Sequence, residues 1–253
     1  MKRVLSILTV LFLALNIHAS RVVLGAEQTK EYLPLLKGKR VALLSNHTGI
    51  VIQGKDTMHT LDLLLKHGVE VTAIFSPEHG FRGTAREGEH VASSVDEKTG
   101  IPILSLYDGK SYRPSKEAMA TFDILITDIQ DVGLRFYTYY ITMFRLMDAC
   151  AHEGKQFIVF DRPNPNGYYV DGPILDMKHK SGVGALPIPV VHGLTMGEIA
   201  LMARGEGWSK ECELQIVKCK NYTHQSRYTL PIAPSPNLPT QHSIYLYPST
   251  CLF

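Results

Sequence analysis

Five short apolar segments recur along this chain, and a cluster of polar residues follows each of them. The apolar segments span residues 40–45, 69–75, 102–106, 123–129 and 156–160. Intervening segments with apolar residues at helical spacing span residues 58–67, 114–121 and 136–153. Strands that alternate with helices and are joined by right-handed crossovers build a parallel sheet. The pattern therefore predicts an α/β fold with a doubly wound, mostly parallel sheet.

The polar clusters should meet at one place, because parallel strands of one sheet end at the same edge. The clusters comprise Asn46, His47, Glu78, His79, Arg82, Tyr107, Asp108, Asp128, Gln130, Asp131, Asp161, Arg162 and Asn164. Asn, Asp, Gly and Pro also terminate strands in general, which accounts for Gly49 and Pro165. It accounts poorly for Gln130 and Arg162, and we therefore expect a shared site.

The segment 76–83, Ser-Pro-Glu-His-Gly-Phe-Arg-Gly, places Glu78 directly after an apolar strand and beside Pro77. Glycoside hydrolysis commonly uses one carboxyl group to protonate the leaving oxygen and a second group as base or nucleophile. Partial burial would favour the protonated form of Glu78 that proton donation requires. Two other interpretations stay open, in which Glu78 pairs with Arg82 or caps the next helix. Candidates for the second group are Glu87, Glu89, Asp128 and Asp131.

Other residues near these clusters also allow two interpretations. Asp128 and Asp131 are candidate catalytic groups but could instead pair with Arg135. Tyr137 and Tyr139 could stack on a sugar face, or they could form a half-buried helix start.

Several classes of site find little support in the sequence. His47, His79 and Asp128 could hold zinc, but no His-Glu-x-x-His motif or similar ligand spacing is present. There is no Gly-x-Gly-x-x-Gly segment for a dinucleotide and no Gly-x-Ser-x-Gly elbow for a serine hydrolase. We therefore expect neither a cofactor nor a metal. A net charge of +2 is too small to indicate a nucleic-acid partner.

Residues 1–19 have the features of a secretory signal peptide. Lys2 and Arg3 precede the apolar segment 4–15, and Ala19 is a small residue at a plausible cleavage site. The apolar segment is too short to span a bilayer comfortably, so no stable membrane anchor is expected. We expect export to the periplasm or the extracellular space, with cleavage near Ala19.

The alternation of apolar strands with helices becomes less regular after residue 167. Pro187 and Pro189 interrupt the apolar segment 183–191, which could form at most an edge strand. Thr195 is placed to cap a helix with Glu198 at the capping-box position. Residues 214–220 alternate as in a strand, and residues 229–253 are rich in proline.

Seven motifs together resemble the NamZ-type exo-β-N-acetylmuramidase family, occur in the family's order and cover nearly all of the chain after residue 20. They are Ser-Asn-His-Thr-Gly at 45–49, Phe-Ser-Pro-Glu-His-Gly-Phe-Arg-Gly at 75–83, Asp-Ile-Gln-Asp-Val-Gly at 128–133, Arg-Phe-Tyr-Thr-Tyr at 135–139, Asp-Arg-Pro-Asn-Pro at 161–165, His-Gly-Leu-Thr at 192–195 and Pro-Ser-Pro-Asn-Leu-Pro at 234–239.

The resemblance implies a secreted hydrolase of bacterial cell-wall turnover that releases N-acetylmuramic acid from the non-reducing ends of peptidoglycan fragments. It implies a Rossmann-like catalytic domain, here residues 20–228, followed by a smaller C-terminal domain. It also implies that Glu78 is the catalytic acid/base. His79, Asp128 and Asp131 are expected to take part in catalysis beside Glu78. Further residues are expected to bind the substrate, namely Asn46, His47, Arg82, Gln130, Arg135, Tyr137, Tyr139, Asp161, Arg162, Asn164 and His192.

Members of this family continue beyond the position that corresponds to Phe253. We therefore expect residues 229–253 to form an incomplete beginning of the C-terminal domain. An inactive, sugar-binding remnant is one alternative to an active muramidase, and a metal-dependent hydrolase is another.

Overall fold

The computed structural model describes residues 21–54, 56–77, 81, 94–106 and 113–251. The strands are β1 (Arg40–Ser45), β2 (Ile50–Gln53), β3 (Asp56–His59), β4 (Glu70–Ser76), β5 (Ser94–Val95), β6 (Pro102–Ser105), β7 (Ile124–Asp128), β8 (Gln156–Phe160) and β9 (Leu214–Val217). The α-helices are α1 (Thr29–Leu36), α2 (Thr60–Lys66), α3 (Lys116–Ala120), α4 (Tyr139–His152), α5 (Met196–Gly205) and α6 (Gln241–Thr250).

Seven of the described strands form one sheet in the order β5-β6-β4-β1-β7-β8-β9. All neighbouring strands in it are parallel except β5, which pairs antiparallel with β6. Without β5, the strands follow the order 3-2-1-4-5-6 that is typical of Rossmann-like sheets. The predicted doubly wound α/β fold is therefore confirmed. We call the edge where the parallel strands end the carboxyl edge.

Helices cover both faces of the sheet, as alternation along the strands requires. In β1, the side chains of Ala42 and Leu44 join a buried cluster that includes residues of α4 and α5. Val41 and Leu43 point to the opposite face, where they join a second cluster with residues of α1 and α2. Because both faces are buried, the strand reads as a continuous apolar run in the sequence.

The predicted helix over residues 58–67 begins later than expected. Residues 56–59 form β3, which pairs antiparallel with β2 in a separate hairpin. Helix α2 starts only at Thr60, and His59 caps it by accepting a hydrogen bond from the Leu61 N–H at its Nδ1, 3.1 Å away. Asp56 and Thr57, which precede the predicted helix and are residue types that often cap helices, belong instead to the hairpin.

The second half of the chain combines confirmed and corrected predictions. Thr195 and Glu198 form the predicted capping box at the start of α5. The segment 183–191 forms only isolated bridges, in which Val191 pairs with Leu134 and Asp171. Helix α6 lies within the proline-rich segment 229–253, where we predicted no element.

Among the residues that the structure describes, no helix is long and apolar enough to cross a bilayer.

Candidate active site

The loops that follow β1, β7 and β8 meet at the carboxyl edge, beside the point where the strand order reverses. Ser45 at the end of β1 donates a hydrogen bond to the backbone oxygen of Asp128 at the end of β7 (2.7 Å). The side chain of Gln130 donates from Nε2 to the backbone oxygen of Pro163 in the loop after β8 (2.7 Å). Open α/β sheets bind their ligands at such a switch point. The polar clusters after β1, β7 and β8 thus meet at this edge, whereas the predicted clusters after β4 and β6 lie outside the described residues.

The loop after β1 is held by its own side chains. Asn46 is fully buried, and its Oδ1 accepts hydrogen bonds from the backbone N–H (2.9 Å) and the hydroxyl (2.6 Å) of Thr48. The Thr48 hydroxyl in turn accepts a hydrogen bond from the backbone N–H of Gln130 at 3.0 Å. His47 donates from Nε2 to the backbone oxygen of Ala233 (2.9 Å). These contacts link the loop after β1 to the loop after β7 and to the C-terminal segment.

Asp128 forms a buried, two-pronged ion pair with Arg162. Its Oδ1 lies 2.6 Å from Arg162 Nε and its Oδ2 lies 2.9 Å from Arg162 Nη2, and the Thr60 hydroxyl also donates to Oδ2. Arg162 Nη2 donates in addition to the backbone oxygen of Ile50. Both oxygens of Asp128 are thus occupied by protein donors, which favours an anchoring role for this residue over a catalytic one.

Arg135 does not pair with the carboxylates as one interpretation of the sequence expected. Its Nη1 donates to the backbone oxygens of Pro173 (2.8 Å) and Ile188 (2.7 Å), and its side chain is buried. Within the described ranges, it forms no ion pair with Asp128 or Asp131. Arg135 instead supports the segment 173–188, which the sequence pattern left irregular.

Asp131 lies in a different environment from Asp128. Its Oδ1 accepts a hydrogen bond from the backbone N–H of Gly133 (2.7 Å) and lies 3.7 Å from Nε2 of His192. Burial raises the pKa of the Asp131 carboxyl to about 7, although the N–H groups of Gly133 and Val132 act in the opposite direction. Burial also lowers the pKa of His192 to about 4. The site therefore contains a carboxyl group that can gain or lose a proton near neutral pH.

Backbone pairing explains how Asp131 and His192 meet. The N–H of Arg135 donates to the backbone oxygen of Val190 (2.8 Å), and the N–H of His192 donates to that of Gly133 (3.2 Å). Gly133 adopts a left-handed conformation with φ of 86°, and a β-carbon there would collide with the side-chain amide of Asn164. The loop after β7 can therefore pack closely against Asn164 in the loop after β8 only with glycine at this position.

The predicted sugar-stacking tyrosines are buried against each other. The rings of Tyr137 and Tyr139 have centroids 4.8 Å apart at an interplanar angle of 75°. Tyr137 also donates from its hydroxyl to the backbone oxygen of Pro234 (2.9 Å), and burial raises its pKa. The alternative interpretation of a buried helix start thus describes both rings better than an open stacking surface does.

Asp161 and Asn164, after β8, organise the surrounding backbone. Asp161 accepts hydrogen bonds from the Thr195 hydroxyl (2.8 Å) and the Gly197 N–H (2.9 Å) at the start of α5. Burial raises its pKa to about 6. Asn164 donates from Nδ2 to the backbone oxygen of Leu194 (2.9 Å). Both side chains are thus engaged in holding the segment that carries His192.

Several predicted site residues lie outside the described residues. They are Glu78, His79, Arg82, Glu87, Glu89, Tyr107 and Asp108. The two described neighbours of Glu78 and His79 are both buried: Pro77 follows β4, and the Phe81 ring lies 4.9 Å from the ring of His59.

The residues considered for zinc have other contacts. Asp128 is held by Arg162, and His47 Nε2 faces the Ala233 oxygen. In the described part of the chain, no three His, Cys, Asp or Glu side chains are grouped as metal ligands would be. A groove of about 780 Å³ lies away from this site, between α1 and the segment that leads into β4. The candidate site is thus identified by the polar contacts at the carboxyl edge and not by the groove beside α1.

Comparisons with known proteins agree with this fold and identify the family to which the chain belongs. The model of a family described as exo-beta-N-acetylmuramidase NamZ, N-terminal, matches residues 41–242. The chain is 44% identical over 228 residues to the peptidoglycan beta-N-acetylmuramidase NamZ of Bacillus subtilis (strain 168), covering 88% of this chain and 54% of that protein. The chain thus spans about half the length of this curated relative.

Two crystal structures of DUF1343 family proteins from Bacteroides fragilis NCTC 9343 are also similar. One is 60% identical with a TM-score of 0.82, and it matches 92% of this chain and 62% of its own. The other is 38% identical with a TM-score of 0.83, and it matches 92% of this chain and 60% of its own.

Proposed function

This chain belongs to the NamZ N-terminal family, and we propose that it is a glycoside hydrolase that releases N-acetylmuramic acid from peptidoglycan fragments. The observation that carries the proposal is the buried carboxyl of Asp131 at the carboxyl edge, whose pKa is raised to about 7 by burial. Glycosidases need carboxyl groups that hold or accept a proton at neutral pH. The name of the Bacillus subtilis relative supports the same reaction class.

Glu78 is the catalytic acid/base in this proposal. It follows Pro77 directly after β4, which is the immediate neighbour of β1 in the sheet. The side chains after β1 and β7 already meet at this edge, so a carboxyl after β4 would complete a site at the switch point. Asp131 would then position the substrate or the attacking water on the other side of β1.

The finer parts of the proposal concern where the enzyme acts. We expect exo-action from the non-reducing end of glycan fragments, in the periplasm or outside the cell. Export would follow from residues 1–19 as a signal peptide cleaved near Ala19.

Hydrolysis of a chromogenic β-N-acetylmuramide tests the proposal. The full chain should be compared with a version extended by the C-terminal part of the 60%-identical Bacteroides fragilis relative. Turnover by either version, lost in Glu78→Gln with unfolding unchanged, is the expected result. Glu70→Gln, an exposed carboxylate at the start of the same strand, is the matched control and should retain activity.

Three other outcomes would count against parts of the proposal. Full activity of Glu78→Gln would remove the assignment of Glu78. Binding of the sugar without hydrolysis by either version would favour a sugar-binding protein. Loss of activity with a chelator and recovery with zinc would favour a metal-dependent hydrolase.

A further inference from the structure

A recess of about 320 Å³ lies beside α4 and shares no lining residue with the candidate active site. We call it the α4 recess. The side chains that define it are Arg113, Phe144, Arg145, Asp148, Lys180 and Trp208. Ligand pockets typically enclose about 300–1,000 Å³, so this volume suits one small ring and not a chain of several rings.

The recess forms where three other segments surround one face of α4. Phe144, Arg145 and Asp148 lie on that face, because residues one and four positions apart are neighbours on a helix. All three are only half-buried, in contrast to the buried residues 139–143 at the start of the helix. The surrounding segments are the one that leads into α3, the segment 173–188 and the turn after α5.

The indole ring of Trp208 is held in place by the end of α5. The backbone N–H of Trp208 donates to the Ala203 oxygen at 2.9 Å, and Gly207 before it makes the turn with φ of 69°. The ring is half-buried and packs against the core cluster that contains residues of α4 and α5. The recess therefore has a flat apolar surface whose position is set before a ligand arrives.

The charged side chains give the recess an excess of positive charge. Three cations and one carboxylate line it. The carboxylate, Asp148, is 18% exposed and accepts a hydrogen bond from Arg113 Nη2 at 3.2 Å. Lys180 is exposed and has no ion-pair partner within the described ranges. The recess therefore attracts an anionic group, and a carboxylate accepts charge-assisted hydrogen bonds from such side chains.

We propose that the α4 recess binds one carboxylate-bearing sugar residue, with the ring of the sugar on Trp208 and its carboxylate at Lys180 and Arg145. A sugar ring has an apolar face and a rim of hydroxyl groups, which suits one aromatic surface among charged hydrogen-bonding groups. An aromatic acid would prefer apolar contacts on both faces of its ring, whereas four of the side chains in this recess are charged.

N-acetylmuramic acid is a sugar of this class, because its lactyl group carries a carboxylate that N-acetylglucosamine lacks. The choice of this sugar rests on the proposed function, in which it is the released product. The charge and the aromatic surface of the recess are observations that do not depend on that function. The inference therefore adds a second sugar site, separate from the candidate active site.

The test uses the fluorescence of Trp208, which is the only tryptophan in the chain. The full chain is titrated with N-acetylmuramic acid, with N-acetylglucosamine and with D-lactate. N-acetylmuramic acid should change the fluorescence in a saturable way and bind at least about 10-fold more tightly than the other two compounds. The reason is that N-acetylglucosamine lacks the carboxylate and D-lactate lacks the ring.

Lys180→Met is the decisive variant, because the exposed position tolerates the change. Its affinity for N-acetylmuramic acid should fall by about 10-fold, while that for N-acetylglucosamine stays within about 2-fold. Lys178→Met is the matched control, since Lys178 lies outside the recess and pairs with Asp176 at 2.6 Å. Its affinity for both sugars should stay within about 2-fold of the wild type.

A second variant tests the aromatic surface. Trp208→Leu removes the ring, so calorimetry replaces fluorescence as the readout, and both sugars should bind at least about 10-fold more weakly. Unchanged affinities in Trp208→Leu would overturn the assignment of the ring. If this half-buried change unfolds the protein, the exposed Lys180→Met still decides the proposal.

Equal affinities of the wild-type chain for the two sugars, or equal losses in Lys180→Met and Lys178→Met, would overturn the inference. D-lactate that binds as tightly as N-acetylmuramic acid would indicate a plain anion site and also overturn it. Calorimetric binding without a change in Trp208 fluorescence would place the sugar elsewhere, and the proposed function would still stand. The proposed function fails separately, if neither version of the chain hydrolyses the chromogenic muramide.

Discussion

The carboxylate of Asp128 and the guanidinium of Arg162 form a two-pronged ion pair sealed inside the carboxyl edge, with N–O distances of 2.6 Å and 2.9 Å. Their side chains are 0% and 2% exposed. The pair joins the end of β7 to the loop after β8, and through Ile50 it also holds the hairpin of β2 and β3. The pair thereby fixes the end of β7, the loop after β8 and the hairpin of β2 and β3 relative to one another.

Replacing Arg162 with Met should destabilise the protein strongly. The change leaves the Asp128 carboxylate buried without its cation, which costs about 3–5 kcal/mol of the free energy of unfolding. Urea unfolding measures this directly. Lys98→Met, which breaks the exposed pair with Asp62, is the control and should cost no more than about 1 kcal/mol. Equal losses in the two variants would show that the buried pair does not anchor the site.

The stability of the protein should depend on pH through Asp131. Its folded-state pKa of about 7 lies above the unfolded value of about 3.9, so its contribution to stability is fully present below about pH 4 and is lost as the pH rises to about 7. Asp131→Asn removes this loss. Relative to the wild type, the free energy of unfolding of this variant should therefore rise by an amount on the order of 4 kcal/mol between pH 4 and pH 8.

The wild type must be compared with Asp131→Asn because the titration of His192 changes the stability with pH in the opposite direction. Its folded-state pKa of about 4 lies below the usual value of 6.5, so its contribution is present above about pH 6.5 and is lost as the pH falls toward 4. The raised pKa of Asp161 contributes in the same sense as Asp131. A difference between wild type and Asp131→Asn that is constant from pH 4 to pH 8 would contradict the assigned pKa of Asp131.

Gly133→Ala should damage the site more than its backbone strain alone explains. Gly133 and Gly154 both have positive φ, at 86° and 62°, but a β-carbon meets Asn164 only at Gly133 and finds open space at Gly154. Gly154→Ala should therefore lower the free energy of unfolding by about 1 kcal/mol, whereas Gly133→Ala should lower it by at least twice as much and weaken the sugar binding that we propose at the carboxyl edge. Urea unfolding and calorimetry check both effects, and similar losses in the two variants would refute the close approach.

Tyr137→Phe should loosen the C-terminal segment without unfolding the domain. The variant loses the hydrogen bond to the Pro234 oxygen, which contributes about 1 kcal/mol. Amide hydrogen exchange in α6 should become faster, while exchange in β1 and β7 stays unchanged. Tyr245→Phe, which removes a hydroxyl from α6 itself, is the matched control, and exchange as fast as in Tyr137→Phe would argue against a specific link through Tyr137.

The sequence predicted the parallel sheet well because its strands are buried on both faces. The bounds of β1 and β8 coincide with the apolar runs at 40–45 and 156–160. The hairpin strand β3 escaped prediction because Thr57, Met58 and His59 continue without a break into the apolar spacing of α2. In that case a partner strand, not local periodicity, determines the structure.

The candidate site was predictable in its location but not in its pairings. The polar clusters after the strands indicated the carboxyl edge. Nothing in the sequence spacing could show that Arg162, and not Arg135, pairs with Asp128, or that Thr60 would join them. The approach of His192 to Asp131 depends on backbone pairing between distant loops, which leaves no periodic signal in the sequence.

The central position of β1 also constrains how the chain folds. β1 is the first strand in the sequence, yet it lies in the middle of the sheet between β4 and β7. Ser45 contacts Asp128 across a separation of 83 residues, so one side of β1 stays without its partner strand until that much more chain has been made. An unpaired strand edge with apolar faces invites aggregation. Variants that slow the pairing of β7 with β1 should therefore aggregate during folding.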